Sequence, residues 1–216
     1  MSSKLIKVCG MREAENIRAV EALGVDWLGF IFWPGSSRYV SERPAYLPEK
    51  AKRVGVFVDA DVDDVLRHVV DYRLDLIQLH GHESADYIRQ LRRSGGASLL
   101  IIKAISVSSS EDMALCSAYM NVVDYFLFDT KSPGVGGSGR QFDWTVLEAY
   151  DGSVPFLLSG GIGPDDAARL NAFHHPLLAG IDLNSRFELR PGFKDTNKLK
   201  SFIYEQDQPT LCRLRQ

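Results

Sequence analysis

Two residues at the ends of apolar runs have side chains able to move a proton. Cys9 closes the run LIKVC. If that run is a strand, the thiol points into whatever space the strand end opens. A buried cysteine often serves only as a small core hydrophobe, but a thiolate at such a position could act as a base if a helix terminus or a cation favoured it. Asp129 directly follows the run YFLF, where a carboxyl is costly unless it is paired or used. Two roles fit it: a capping or loop-bridging group, or a general acid kept protonated by a glycine-rich segment that closes over it and excludes water. Asp182, placed similarly at the end of a later run, reads as a supporting group rather than a proton donor.

Around these lie groups suited to anions. Ser159-Gly160-Gly161 and Asn184-Ser185-Arg186 each follow an apolar run and each lead into what reads as a helix start, so Gly160, Gly161, Asn184, Ser185 and Arg186 are candidate phosphate-binding positions. Glycine pairs also simply make turns, and it is the occurrence at two successive run ends that favours phosphate. Arg38 lies in a loop that should stand on the far side of the site from those turns. A second anionic group on the ligand, such as a carboxylate, would give it a bidentate partner; otherwise it is a solvated charge. Gln78 and His80 bracket another run end and point a donor or acceptor into the same space, unless His80 is a satisfied structural histidine.

These positions share one feature: each sits at the end of a short run rich in Val, Ile, Leu and Phe. Eight such runs end at Cys9, Phe32, Val58, Leu79, Lys103, Phe128, Ser159 and Leu183, spaced 21 to 31 residues apart and separated by segments with helical periodicity. That even alternation predicts an α/β protein, a closed eight-stranded parallel (β/α)8 TIM barrel, rather than an open doubly wound sheet. It leaves no room for a second domain, so residues 1–216 are read as one barrel domain, with about 208–216 expected to fray. Helices are expected over EAENIRAVEALG, DADVDDVLRHVVDY, GPDDAARL and DTNKLKSFIYEQ. The loops WPGSSRYVSERP and DTKSPGVGGSGRQFDW break the pattern after the second and sixth runs, where barrel enzymes keep their chemistry.

Composition narrows the partners. Apolar residues make up 45% and charged residues 25%, with a formal charge of -3 and no basic stripe, which argues against nucleic acid and for a small phosphorylated metabolite. No run approaches the roughly 18 apolar residues of a membrane span and no signal-peptide pattern opens the chain, so a cytoplasmic location without membrane attachment is expected. Three cysteines at wide spacing and five histidines without ligand spacing predict neither disulfides nor a metal. A monomer is preferred to a homodimer, since no extended apolar stripe is evident.

Taken together, KVCGM, GFIFWPGSSRYV, VGVFVD, IQLHG, FLFDTK with GGSGRQFDW, LSGGI and IDLNSRFE resemble the phosphoribosylanthranilate isomerases of tryptophan biosynthesis, in order and at that family's spacing from Lys7 to about Asp195. The resemblance implies a cofactor-free Amadori rearrangement of N-(5-phosphoribosyl)anthranilate. In it Asp129 would protonate the furanose oxygen and Cys9 would take the C2′ proton. It also implies that Arg38 holds the anthranilate carboxylate and that the phosphate lies between Gly160-Gly161 and Asn184-Ser185-Arg186. Gln78, His80, Asp182, Gly136 and Gly137 would contact substrate, with residues 136–139 closing over the sugar. One departure is Arg186 followed by Phe187, where many relatives have a small residue. Other sugar-phosphate barrels fit less well: an epimerase wants metal-binding histidines and acids at strand ends, the related isomerase of histidine biosynthesis an aspartate in place of Cys9. A non-catalytic binder would have no use for Cys9 and Asp129 together.

Overall fold

β-Branched, leucine and aromatic residues gather in eight short segments, and each becomes a strand in a computed structural model of the chain, described for residues 4–95, 99–130 and 143–207. The strands are β1 (Leu5–Val8), β2 (Trp27–Ile31), β3 (Lys52–Phe57), β4 (Leu76–Leu79), β5 (Leu100–Val107), β6 (Tyr125–Thr130), β7 (Phe156–Leu158) and β8 (Leu178–Leu183). Each pairs in parallel with its neighbour in sequence, and β1 closes on β8 with Leu5 opposite Gly180 and Lys7 opposite Asp182. The result is the expected closed (β/α)8 TIM barrel.

Because side chains alternate across a strand, every second residue points into the barrel. At the amino end these are Trp27, Val54, Leu76, Ile102, Leu127 and Leu157, which pack into an apolar plug, with Trp27 edge-on to Tyr125 at 5.3 Å between ring centroids. The other face of the sheet meets the larger core beneath the helices, including Ile17, Val20, Val65, Ile88, Leu91 and Phe202. Shortening a fully enclosed plug residue such as Leu127 to Ala is expected to cost about 2–5 kcal/mol.

The covering layer comprises α1 (Ala14–Glu21), α2 (Val62–Tyr72), α3 (Ala85–Gly95), α4 (Ala167–Ala172) and α5 (Thr196–Asp207). Asp63 and Asp64 fall in the first turn of α2, and Arg92 and Arg93 in the last turn of α3, as the helix dipole favours. Among the described residues three connections carry no α-helix, and those after β2 and β6 include the segments read from sequence as loops. Between β2 and β3, Pro34, Pro44 and Pro48 preclude a helix, and the Glu21 carboxylate pins the segment by accepting the N–H groups of Glu49, Lys50 and Ala51. The connections after β5 and β6 carry 3₁₀ helices, Ser110–Ala118 and Trp144–Ala149. β5 runs four residues beyond the predicted end at Lys103. Past β8 lies an antiparallel hairpin that the sequence reading did not contain, β9 (Glu188–Arg190) and β10 (Phe193–Lys194), turning at Gly192 with φ of +81°. Among the described residues no helix is long and apolar enough to cross a membrane. The tail at 208–216 lies outside the described residues.

Candidate active site

Climbing each strand by twos from the apolar plug leads to a polar mouth: from Leu5 to Lys7 and Cys9, from Leu76 to Gln78 and His80, from Leu127 to Asp129, from Leu157 to Ser159, from Gly180 to Asp182 and Asn184. One pocket at the carboxyl ends of the strands is lined by Cys9, Arg38, Gln78, His80, Asp129, Gly160, Gly161, Asp182, Asn184 and Ser185. Ten of the expected site residues therefore converge.

The β1 side of this pocket is built from paired charges. The Cys9 N–H donates to the Leu183 carbonyl at 2.9 Å, extending the β1–β8 pairing one residue past the strand and fixing the thiol's direction. Space for the sulfur comes from Gly29 on β2, where a Cβ would stand 2.8 Å from Sγ. Below the thiol is Lys7, fully buried, whose ammonium donates to Asp182 Oδ1 at 2.8 Å, while Ser159 Oγ donates to Asp182 Oδ2 at 3.3 Å. From the hairpin comes Lys194, which donates to Asn184 Oδ1 and Glu188 Oε1, both at 2.7 Å. Burial pushes the Cys9 thiol above its ordinary pKa; Lys7 and Lys194 pull it down, Asp182 pushes it up. Burial likewise opposes the charge on Lys7, but Asp182 and Cys9 together outweigh it and raise the pKa. Lys194, deprived of water, is shifted down despite Glu188.

Arg38 differs from expectation. Its stem packs over Gly10 beside the Asn184 amide, next to a turn expected to hold phosphate rather than across from it. The reason is Glu188, which accepts from Nε at 2.9 and 3.0 Å and from Nη2 at 2.7 Å and draws the guanidinium toward the hairpin. Burial raises the Glu188 pKa, but the Arg38 and Lys194 contacts prevail and hold the carboxyl below its ordinary value.

The β6 side sets a backbone N–H, an imidazole and an amide around one carboxyl. Asp129 Oδ1 accepts the Thr130 N–H at 2.8 Å, and Oδ2 lies 3.4 Å from His80 Nε2. The other ring nitrogen, Nδ1, is 3.0 Å from Gln78 Nε2. His80 therefore bridges the Gln78 amide and the Asp129 carboxyl through its two ring nitrogens. Among the described residues, Gln78 Oε1 is buried without a hydrogen-bond partner. Behind His80, Lys103 and Glu83 form a buried ion pair of 3.0 Å; Lys103 also donates to the Gly81 carbonyl, and Glu83 accepts the Gly81 and Asp59 N–H groups. That brace fixes the turn following β4.

Between the two sides are the small-residue turns. Gly160 has φ of +89°, and a Cβ there would collide with Thr130 Oγ1 and come within 2.7 Å of its N, so only glycine lets this turn approach the end of β6. The turn leads to a 3₁₀ segment, Pro164–Asp166, and α4; the turn after β8 leads only to a single 3₁₀ turn, Ser185–Phe187, in place of the expected helix. Arg186 is not among the described residues lining the pocket. Its guanidinium lies over Gly163, where a Cβ would stand 3.1 Å from Nε. Gly136 and Gly137 fall outside the described residues. Lys7, Glu188 and Lys194 were missed from sequence; the signal for Lys7 was available in its position two residues before Cys9 on one strand.

Comparison with known proteins agrees with this geometry. A family model described as N-(5'-phosphoribosyl)anthranilate (PRA) isomerase matches residues 6–205. The N-(5'-phosphoribosyl)anthranilate isomerase of Phocaeicola vulgatus is 49% identical over 204 residues, 94% of this chain and 98% of that one. Among solved structures, phosphoribosyl anthranilate isomerase from Thermotoga maritima superposes with a TM-score of 0.81 at 33% identity, covering 94% of this chain and 98% of that one. A phosphoribosyl anthranilate isomerase in complex with reduced 1-(o-carboxyphenylamino)-1-deoxyribulose 5-phosphate gives 0.78 at 30% identity with the same coverage.

Proposed function

The chain belongs to the N-(5'-phosphoribosyl)anthranilate isomerase family, and we propose that it divides the family's reaction between Cys9 as base and Asp129 as acid. It is an isomerase of tryptophan biosynthesis, converting N-(5-phosphoribosyl)anthranilate to 1-(2-carboxyphenylamino)-1-deoxyribulose 5-phosphate. The observation that carries the division of labour is that these two residues face one pocket from different strand ends.

Asp129 donates its proton to the furanose oxygen as the C1′–O bond breaks, and the anthranilate nitrogen supplies the electron pair that forms the C=N bond. Cys9, as thiolate, takes the C2′ proton; the C–H electrons form C1′=C2′ and the C=N pair returns to nitrogen. The resulting enolamine tautomerises to the ketone, so no proton or electron is gained or lost overall. Each transfer contributes about 10²- to 10⁴-fold.

Substrate ends are held by opposite charges and turns. Glu188 engages the Nε and Nη2 edge of Arg38, which leaves Nη1 to donate to the anthranilate carboxylate. The phosphate rests between Gly160-Gly161 and Asn184-Ser185, with Arg186 at the outer rim. Gln78 Oε1 accepts a substrate hydroxyl, which would satisfy its buried lone pairs, while Asp182 faces the sugar. A monomer is supported by the scatter of the large exposed hydrophobics Val70, Leu115, Leu189 and Tyr204 over four different elements. The pathway supports a cytoplasmic location. The test is turnover of phosphoribosylanthranilate generated in situ, followed by loss of its fluorescence with purified protein and no added metal; Cys9→Ala and Asp129→Asn should each retain substrate binding and lose turnover.

A further inference from the structure

A lysine with no solvent exposure inside a barrel needs a reason. Barrel closure is not one, because β1 and β8 are already joined by four register pairs of backbone, and a buried ion pair of this kind is commonly replaceable by apolar side chains without loss of stability. Position supplies the reason. Lys7 and Cys9 are two residues apart on one strand, so both point into the barrel, with the ammonium one level below the thiol. Asp182, opposite Lys7 in register, anchors the ammonium at 2.8 Å and is itself oriented by Ser159. An ammonium has three donors, and Asp182 occupies one of them. The other lysine that acts on the thiol, Lys194, is already committed to Glu188 and Asn184.

We propose that Lys7 is the positioning residue of the base: anchored by Asp182 across the β1–β8 seam, its ammonium stabilises the Cys9 thiolate that accepts the C2′ proton. Lys7 keeps its own proton throughout; it touches the base, not the substrate. The inference rests on the reading of Cys9 as base. Charged groups facing the thiol come from three elements: Lys7 from β1, Asp182 from β8 and Lys194 from β10. Asp129 and His80 stand across the same mouth, and Arg38 with its Glu188 partner lies over Gly10. Of these, Lys7 acts on Cys9 most strongly in the direction that favours the thiolate, against the burial that disfavours it.

The experiment is a titration of the Cys9 thiolate in substrate-free protein, read from its ultraviolet absorbance as the difference between each protein and the same protein carrying Cys9→Ser. Cys116, pushed up to about 12 by burial, stays silent over the working range. Lys7→Met should move the midpoint upward by about one pH unit or more, with the acid limb of kcat/KM moving equally and KM little changed. Should Lys7→Met leave Asp182 unpaired and fail to fold, Lys7→Met/Asp182→Leu removes both charges and should preserve the barrel. Its midpoint should also rise, since Lys7 acts on the thiol more strongly than Asp182 does. A midpoint that stays put or falls in the folded variant overturns the inference, because a merely structural pair would not shift a thiol titration upward. Near wild-type kcat in Cys9→Ser would instead overturn the assignment of the base on which it rests.

Discussion

The two sides of the mouth are made of different materials. Around Cys9 are two lysines, each paired with a carboxylate, Lys7 with Asp182 and Lys194 with the Glu188 that Arg38 shares. Around Asp129 are a backbone N–H, an imidazole and an amide. A buried group that must lose a proton needs nearby positive charge, which the lysines supply to Cys9, whereas the backbone N–H that donates to Asp129 orients its carboxyl in the mouth. With Arg38 sharing Glu188, three cations face two carboxylates on the base side, a formal excess of one positive charge that suits a substrate carrying both a phosphate and a carboxylate.

Removing either proton-transfer group should break this comparison at its centre. Cys9→Ala and Asp129→Asn should each lower kcat by at least about 10²-fold with KM changed far less; near wild-type kcat in steady-state assays would remove that residue from the mechanism. Next in size is Arg38→Met, expected to raise KM for the carboxylated substrate by roughly 10-fold or more while kcat changes less, because a charge-assisted contact made before and during reaction is lost. An unchanged KM would leave Arg38 as a partner of Glu188 only. Gln78→Leu, which removes the acceptor for a substrate hydroxyl, should raise KM by up to about 10-fold, the scale of one hydrogen bond, and should leave the Cys9 titration alone. A shift in that titration would mean the two sides are not separate.

Acidity sharpens the same contrast. The base works as thiolate and burial raises the Cys9 pKa, so the limb of kcat/KM that reports the base should lie above the position an ordinary thiol would give it. Glu188 works in the other direction. Its folded pKa lies below the unfolded value of about 4.3, so the stability it contributes is present above that value and is lost as pH falls through the folded pKa. Glu188→Gln should therefore flatten the acid end of a pH–stability curve measured by denaturant unfolding. The smallest effect expected is weak competitive inhibition by inorganic phosphate at the turns after β7 and β8; purely noncompetitive inhibition would place the anion site elsewhere.

Much of this was legible in the residues alone. Apolar runs at even spacing foretold eight strands and the closure, and the residues at their ends foretold the mouth, because strand parity and strand ends are local properties. What escaped depends on partners distant in sequence. Glu188 and Lys194 sit on a hairpin of five short positions that carries no strong strand pattern, so neither their placement nor their hold on Arg38 could be read. The 3₁₀ character of Ser110–Ala118 arises in a nine-residue stretch closed by the reciprocal Ser109 and Asp112 cap, where a periodicity reading cannot tell one helix type from the other. Lys7 was readable by its parity with Cys9, but a lysine in a strand invites the surface reading until its partner across the seam is known.

The division of labour itself is tested most directly by hydrogen isotope effects at C2′. With substrate deuterated at that carbon, Cys9→Ser should slow the C–H step until it limits turnover and should show a full primary isotope effect on kcat. Asp129→Asn should make ring opening limiting and suppress the effect. The reverse pattern, or a full effect in Asp129→Asn, would contradict the assignment of base and acid.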